Sequence, residues 1–301
     1  MRHDLCRAHH PAACEACRRR RGALMATEPL TFSRAMLWTF AGLTVLFLLV
    51  PILIIIITSF GNTTYMEFPP REWSLRWYRA YFQSERWISS TALSLQIAAG
   101  TTALATFLGT TAALGIVRTR SRMTRGIELF LLSPLVTPTI VLAVGLYFVF
   151  APLQLVGSAF GIFLGHTVIA TPLVILTVGA ALRTIDPSLE LAARSLGAGA
   201  WGCLWHVTLP MIRPAILGGG AFAFLTSFDE VVLAIFVGGP GATTLPKRMW
   251  DGIRFEIDPT LTAIASLLVL LTVIVLSLAA FSRRFLAHAN APRPDIHNLQ
   301  R

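Results

Sequence analysis

Few residues in this 301-residue chain have the types and spacing for covalent chemistry. Cys14 and Cys17 stand two residues apart, which is metal-ligand spacing, with His3, Cys6, His9 and His10 close by. A structural zinc site needs four ligands on a loop that can fold round the ion. This segment is short and runs straight into the arginines at 18–21. We read it as a tail, or as sequence ahead of a start at Met25, and expect no metal site. It also lacks the apolar stretch of a cleavable signal peptide. A phosphate loop requires Gly-x-x-x-x-Gly-Lys-Ser/Thr. The single lysine, Lys247, lies between Pro246 and Arg248, so that loop is absent and any ATP must be bound by another chain. Neither His-Glu-x-x-His nor Gly-x-Ser-x-Gly occurs. These absences predict a protein that is not an enzyme and carries no cofactor of its own.

Charge inside apolar sequence is the remaining chemical signal. Asp229 and Glu230 are the only acids within an apolar span, and a carboxylate at bilayer depth costs a few kcal/mol, about 3 on insertion scales. Such groups are expected to face a pathway or a partner, and for a cationic solute they would be favourable stations. His166 is a lone ionisable group among small residues, which reads first as a hydrogen-bonded packing residue.

The elements that carry these residues are membrane spans. The chain is 54% hydrophobic and 13% charged, where soluble domains carry about 25% charged residues. A helix needs about 20 apolar residues to cross the hydrocarbon core. Residues 36–57, 88–117, 129–182, 214–237 and 260–282 form such runs. The third is too long for one crossing and is expected to turn near residues 151–157, which gives six spans. The fold class is therefore all-α integral membrane, with tails at 1–34 and 286–301 around a membrane domain at 35–285. Most of the 25 Lys and Arg, including Arg118, Arg120, Arg122 and Arg125, fall in the segments that share a side with the termini. That bias places both termini in the cytoplasm. No basic-aromatic stripe accompanies the net charge of +10, so nucleic acid is not an expected partner. Trp73, Trp77 and Tyr81 recur every four residues, as on a helix lying at the headgroups or against a partner protein. Gly157, Gly161 and Gly165 are spaced for close helix packing.

Between the fourth and fifth spans, residues 184–213 read as an elbow. Asp186 is a helix N-cap, Pro187 the first helical residue, and Glu190 suits the positive end of the helix. Leu189, Ala192, Ala193 and Leu196 form an apolar, small-residue stripe, and Gly197 and Gly199 stop the helix. A second short segment carries Trp201, Leu204 and Trp205, and Pro210 and Pro214 are expected to start the next span. Neither lipid nor a span requires such a surface, so it reads as a docking site.

This segment resembles the EAA loop of binding-protein-dependent ABC importer permeases, which runs Glu-Ala-Ala, three residues, Gly, nine residues, Ile-x-Leu-Pro. Ala192, Ala193, Gly197, Val207, Leu209 and Pro210 fall at the matching positions without a gap. The family's Glu position holds Leu191, and the acid stands one place earlier as Glu190. Residues 77–282 share the resemblance. The stretches around Ser227-Phe-Asp229-Glu230, Gly238 to Pro246, and Trp250 to Arg254 look like the spermidine/putrescine permeases of the PotC-like kind. The resemblance implies the type I importer (MetI-like) fold in the bacterial inner membrane. It further implies a second permease chain in a heterodimer, separate ATPase subunits gripping the elbows, and a periplasmic substrate-binding protein. The same machinery for an opine, an aminophosphonate or ferric iron is the alternative. A secondary transporter would need no elbow.

Overall fold

The computed structural model describes residues 30–289, apart from 65–66, 120 and 256–257. The Cys/His cluster at residues 3–17 lies outside them. The chain divides into two units at Ile55/Ile56. The first is carried by α1 (Leu30–Thr58), which is free of charge from Met36 onward.

The second unit is an assembly of helices. After α2 (Arg76–Gln83) come α3 (Glu85–Arg118), α4 (Arg122–Val136), α5 (Thr139–Phe150) and α6 (Ala159–Thr184). The elbow helix α7 (Pro187–Ser195) and the single turn α8 (Ala200–Cys203) follow. A π turn at Leu204–Thr208 leads into α9 (Leu209–Asp229), then α10 (Val232–Val237), α11 (Leu245–Phe255) and α12 (Thr260–Ala289). Among the described residues there is one isolated β-bridge, Gly61 to Trp73.

Helices α3, α6 and α9 pack against one another as the centre of the bundle. Apart from Ile97, the face α3 buries is made of small and hydroxyl-bearing residues, among them Ser90, Ser94, Ala98, Thr101, Ala105, Gly109 and Ala113. In lipid no hydrophobic force drives helices together, so close van der Waals contact must do it, and small residues permit that contact. Gly109 shows the constraint: a Cβ there would stand 2.6 Å from Val174 Cβ on α6. One core cluster joins Ala105, Ala113, Val174, Val178 and Ile212 toward the elbow end. A second, with Ile97, Ile162, Leu233 and Val237, fills the other end.

Among the described residues five helices are long and apolar enough to span a membrane, and there are six crossings if the bent pair α4–α5 is one broken span. One correction falls in the run at 129–182, expected to turn only near residues 151–157: it also breaks earlier, where the pair α4–α5 turns by 108°. Pro138 causes it. A residue before proline is driven out of the helical region, and Thr137 is accordingly extended, with ψ 129. The same helix begins earlier than expected, at Arg122, because Ser121 and Thr124 form a capping box. Arg125 thus belongs to a helix and not to a loop.

A second correction concerns Pro210 and Pro214. They do not begin a new span, because helix runs without a break from Ala200 to Asp229. The π turn explains how. Leu209 N–H reaches back five residues to the Leu204 carbonyl. The wider turn gives the Pro210 ring room that a regular α-turn denies it.

The aromatic face at 73–81 is a third correction. Trp73 precedes α2 and is exposed, while Trp77 and Tyr81 point into this chain's own bundle. Tyr81 Oη meets Thr91 Oγ1 at 2.8 Å, and Tyr78 Oη lies 2.7 Å from both Ser59 Oγ and Ser266 Oγ. The spaced glycines also separate into different tasks. Gly157 turns the chain with φ +86, Gly161 admits the Leu155 carbonyl, and Gly165 makes ordinary contact with Leu233.

Candidate functional site

The elbow forms as its local sequence dictates. Asp186 Oδ1 accepts the Ser188 N–H at 2.9 Å, which caps α7, and Pro187 takes the first helical position. That hydrogen bond holds the Asp186 carboxyl below the usual carboxylate range. At the other end Gly197 has φ +90. Its N–H bonds the Arg194 carbonyl and the Ala198 N–H bonds the Ala193 carbonyl. This paired closure requires a residue at ease with positive φ, which is glycine. Gly199 then caps α8.

The apolar surface expected of the elbow is present. Leu189, Leu191, Leu196, Trp201 and Trp205 are all exposed, Leu196 to 89%. Ala192 and Gly197 are exposed beside them, and Ala193 is half-buried. Val207, Leu209 and Pro210 play a different part. They are half-buried in the π turn and the root of α9, so the motif spans an outward surface and an inward anchor.

Glu190 does not face outward. Its Oε1 accepts from Arg118 Nη2 at 2.8 Å and from the Thr208 hydroxyl at 2.6 Å. Arg118 Nη2 is also 3.1 Å from Thr208 Oγ1. The Thr208 hydrogen bond, with Arg118 behind it, holds the Glu190 carboxyl below the usual range against the opposing effect of burial. Leu191, at the position where the EAA loop has Glu, is the outward residue. Sequence spacing could not reveal this: Arg118 reads as a membrane anchor, and its partner lies far along the chain. A second ion pair, Arg183 to Glu128 at 2.6 Å, ties the end of α6 to α4. Both pairs line a polar cleft of about 1040 Å³ beneath the elbow.

Asp229 and Glu230 mark a break in the helix, as expected, but they do different things. Glu230 Oε1 accepts the Val232 and Leu233 N–H groups at 2.8 and 3.1 Å and so caps α10. Asp229 ends α9 and makes no such bond. Both line a cleft of about 450 Å³ between α9 and α12, with Thr226, Phe228, Leu268 and Thr272. Thr272 is twelve residues into α12, roughly 18 Å along its axis, so the cleft reaches the middle of the span. Elsewhere in the bundle Thr102, Thr111, Thr167, Thr171 and Thr177 each donate to the carbonyl four residues back. Thr226 and Thr272 have no hydrogen bond among the described residues and are open to the cleft.

His166 is a packing residue in this geometry. It is buried on α6, and its Nδ1 lies 2.9 Å from Ser227 Oγ on α9. An apolar cleft of about 900 Å³ lies between α3 and α9, from Thr106 and Thr110 to Trp201 and Trp205 at the elbow end. No group of His, Cys, Asp and Glu among the described residues is arranged to hold a metal.

A helical membrane bundle with a capped elbow between two spans is the architecture of an importer's membrane subunit. Residues 105–288 match the family described as the binding-protein-dependent transport system inner membrane component, and the chain belongs to that family. It is 37% identical over 229 residues to the putrescine transport system permease protein PotI of Escherichia coli K12, covering 74% of this chain and 81% of PotI. It is 27% identical over 229 residues to the spermidine/putrescine transport system permease protein PotC of the same strain, covering 76% and 86%. Its fold resembles a chain of a bacterial alginate ABC transporter crystallised with an alginate-bound periplasmic protein. The TM-score is 0.66 at 17% identity, covering 85% of this chain and 95% of that one. A chain of the MetNI methionine ABC transporter in an inward-facing conformation gives a TM-score of 0.53 at 20% identity, over 68% and 99%.

Proposed function

We propose that this chain is one of two permease subunits, different from each other, in an ATP-driven importer of polyamines such as putrescine and spermidine. ATP is bound and hydrolysed by separate ATPase subunits, and a periplasmic binding protein delivers the solute. The chain itself carries out no catalysis and holds no cofactor. Both termini and the elbow at 184–213 face the cytoplasm. There the exposed Leu189, Leu191, Ala192, Leu196 and Trp201 form the surface an ATPase subunit grips. Closure of the ATPase pair pushes the elbow, and the stiff, doubly capped α7 passes that displacement to the spans. This is coupling between two states of the bundle, not chemistry.

The observation that carries the substrate reading is the Asp229 carboxylate, without a hydrogen bond or ion pair among the described residues, in a mid-span cleft. An alkylammonium group has N–H donors to satisfy once it leaves water. Asp229 supplies a charge and two acceptor oxygens, and the Thr226 and Thr272 hydroxyls supply more. Glu230, already occupied as a helix cap, shapes the cleft and is a weaker candidate for contact. Identity to PotI and PotC supports the same solute class, and an anionic solute would meet repulsion here. The test is uptake of labelled putrescine, spermidine, an opine and ferric iron by the assembled transporter in proteoliposomes. Uptake of the polyamines above the others is expected. Uptake of another solute with no polyamine uptake would overturn the substrate reading.

A further inference from the structure

Three elements that sequence keeps far apart meet on one oxygen atom. Glu190 Oε1, on the elbow, receives Arg118 from the last turn of α3 and Thr208 from the π turn at the root of α9. Apart from this carboxylate the elbow is lightly held: α7 has no buried residue, and its neighbours in the fold are α8 and the π turn. Arg118 therefore reaches the elbow from a helix that otherwise makes little contact with it. Thr208 is 1% exposed, so its hydroxyl needs the Glu190 partner that it has.

We propose that Arg118 is a positioning residue for energy coupling. Through Glu190 and Thr208 it latches the elbow to the inner end of α3, so that a push on the elbow moves α3 and α9 together. Without the latch, the elbow would pull only on α6 and α9, the two spans it joins, and α3 would follow only through its packing against them. The ion pair is half exposed, at 39% and 24%, and such pairs add little to stability, typically under about 1 kcal/mol. Its placement at a three-element junction, on the one acid of the elbow that turns inward, is better matched to geometry than to stability. The latch rests on the permease reading above, because only a driven elbow has a displacement to transmit.

The experiment measures ATP hydrolysed per solute imported, in proteoliposomes holding the complete transporter with its binding protein. Arg118→Gln and Glu190→Gln are each expected to raise that ratio several-fold while total ATPase activity persists. The exchange of the two charges, Arg118→Glu with Glu190→Arg, is expected to restore much of it. A purely structural role would lower the amount of assembled complex and leave the ratio alone. Single variants with the wild-type ratio would overturn the latch, as would an exchange variant no better than either single one. Were the wild type to import nothing with ATP and binding protein present, the permease reading itself would fail, and the latch with it.

Discussion

The guanidinium of Arg118, on the last turn of α3, lies 2.8 Å from the carboxylate of Glu190 on the elbow helix α7. The pair sets a pH window. Glu190 is held below the usual Glu range, first by the Thr208 hydroxyl and then by Arg118. A depressed carboxyl contributes its full share above its unfolded value, about 4.3, and loses it as pH falls through the lower folded value. The ATP-to-solute ratio should therefore stay flat from pH 8 to about pH 5. A rise in that ratio near pH 6 to 7 would assign the latch to some other group.

Asp229 and Glu230 should separate on substitution. Asp229→Asn removes one of the two carboxylates that line the cleft and is expected to raise the half-saturating polyamine concentration about tenfold, a change of about 1.4 kcal/mol. Glu230→Gln keeps a side-chain oxygen for the Val232 and Leu233 N–H groups and should shift it less than threefold. Glu230→Ala loses the cap and should destabilise the helix by about 1 kcal/mol. The check is concentration-dependent uptake, with the affinity of the binding protein measured separately.

Glycines in α3 should show opposite tolerance. Gly109→Ala sets a methyl within 2.8 Å of Val174 Cβ and Cγ1, so it should destabilise by about 1 to 3 kcal/mol. Gly115 has nothing within 4 Å of its would-be Cβ. Gly115→Ala should be neutral, or stabilise by up to about 1 kcal/mol through helix propensity. Thermal unfolding of the purified chain in detergent distinguishes the two, and equal effects would contradict the α3–α6 packing.

The orientation of the elbow is open to chemical labelling. A cysteine placed at Ser195 should react with a membrane-impermeant maleimide only after the cytoplasmic side is exposed. One placed at Gln154, in the turn before α6, should react from outside. Cys203, 1% exposed, should stay unlabelled in the folded protein. Labelling of position 195 in intact cells would reverse the topology and remove the elbow from any cytoplasmic ATPase.

Local chemistry in the sequence was enough for the spans, the elbow and its caps. Uncharged runs longer than the bilayer's width, Asp186-Pro187, and Gly197 each act on their own neighbours, so their effect can be read in order along the chain. The break at Asp229-Glu230 was legible for the same reason. What the sequence could not supply was decided between distant elements. Pro138 bends a span whose apolar run looks continuous. A π turn absorbs Pro210 that would otherwise start a helix. Trp77 and Tyr81 turn inward because α2 packs on its own bundle. Above all, the direction of Glu190 depends on Arg118 and Thr208 arriving beside it. Charge pairing acts through space over a few ångströms, and only the folded chain determines which groups come that close.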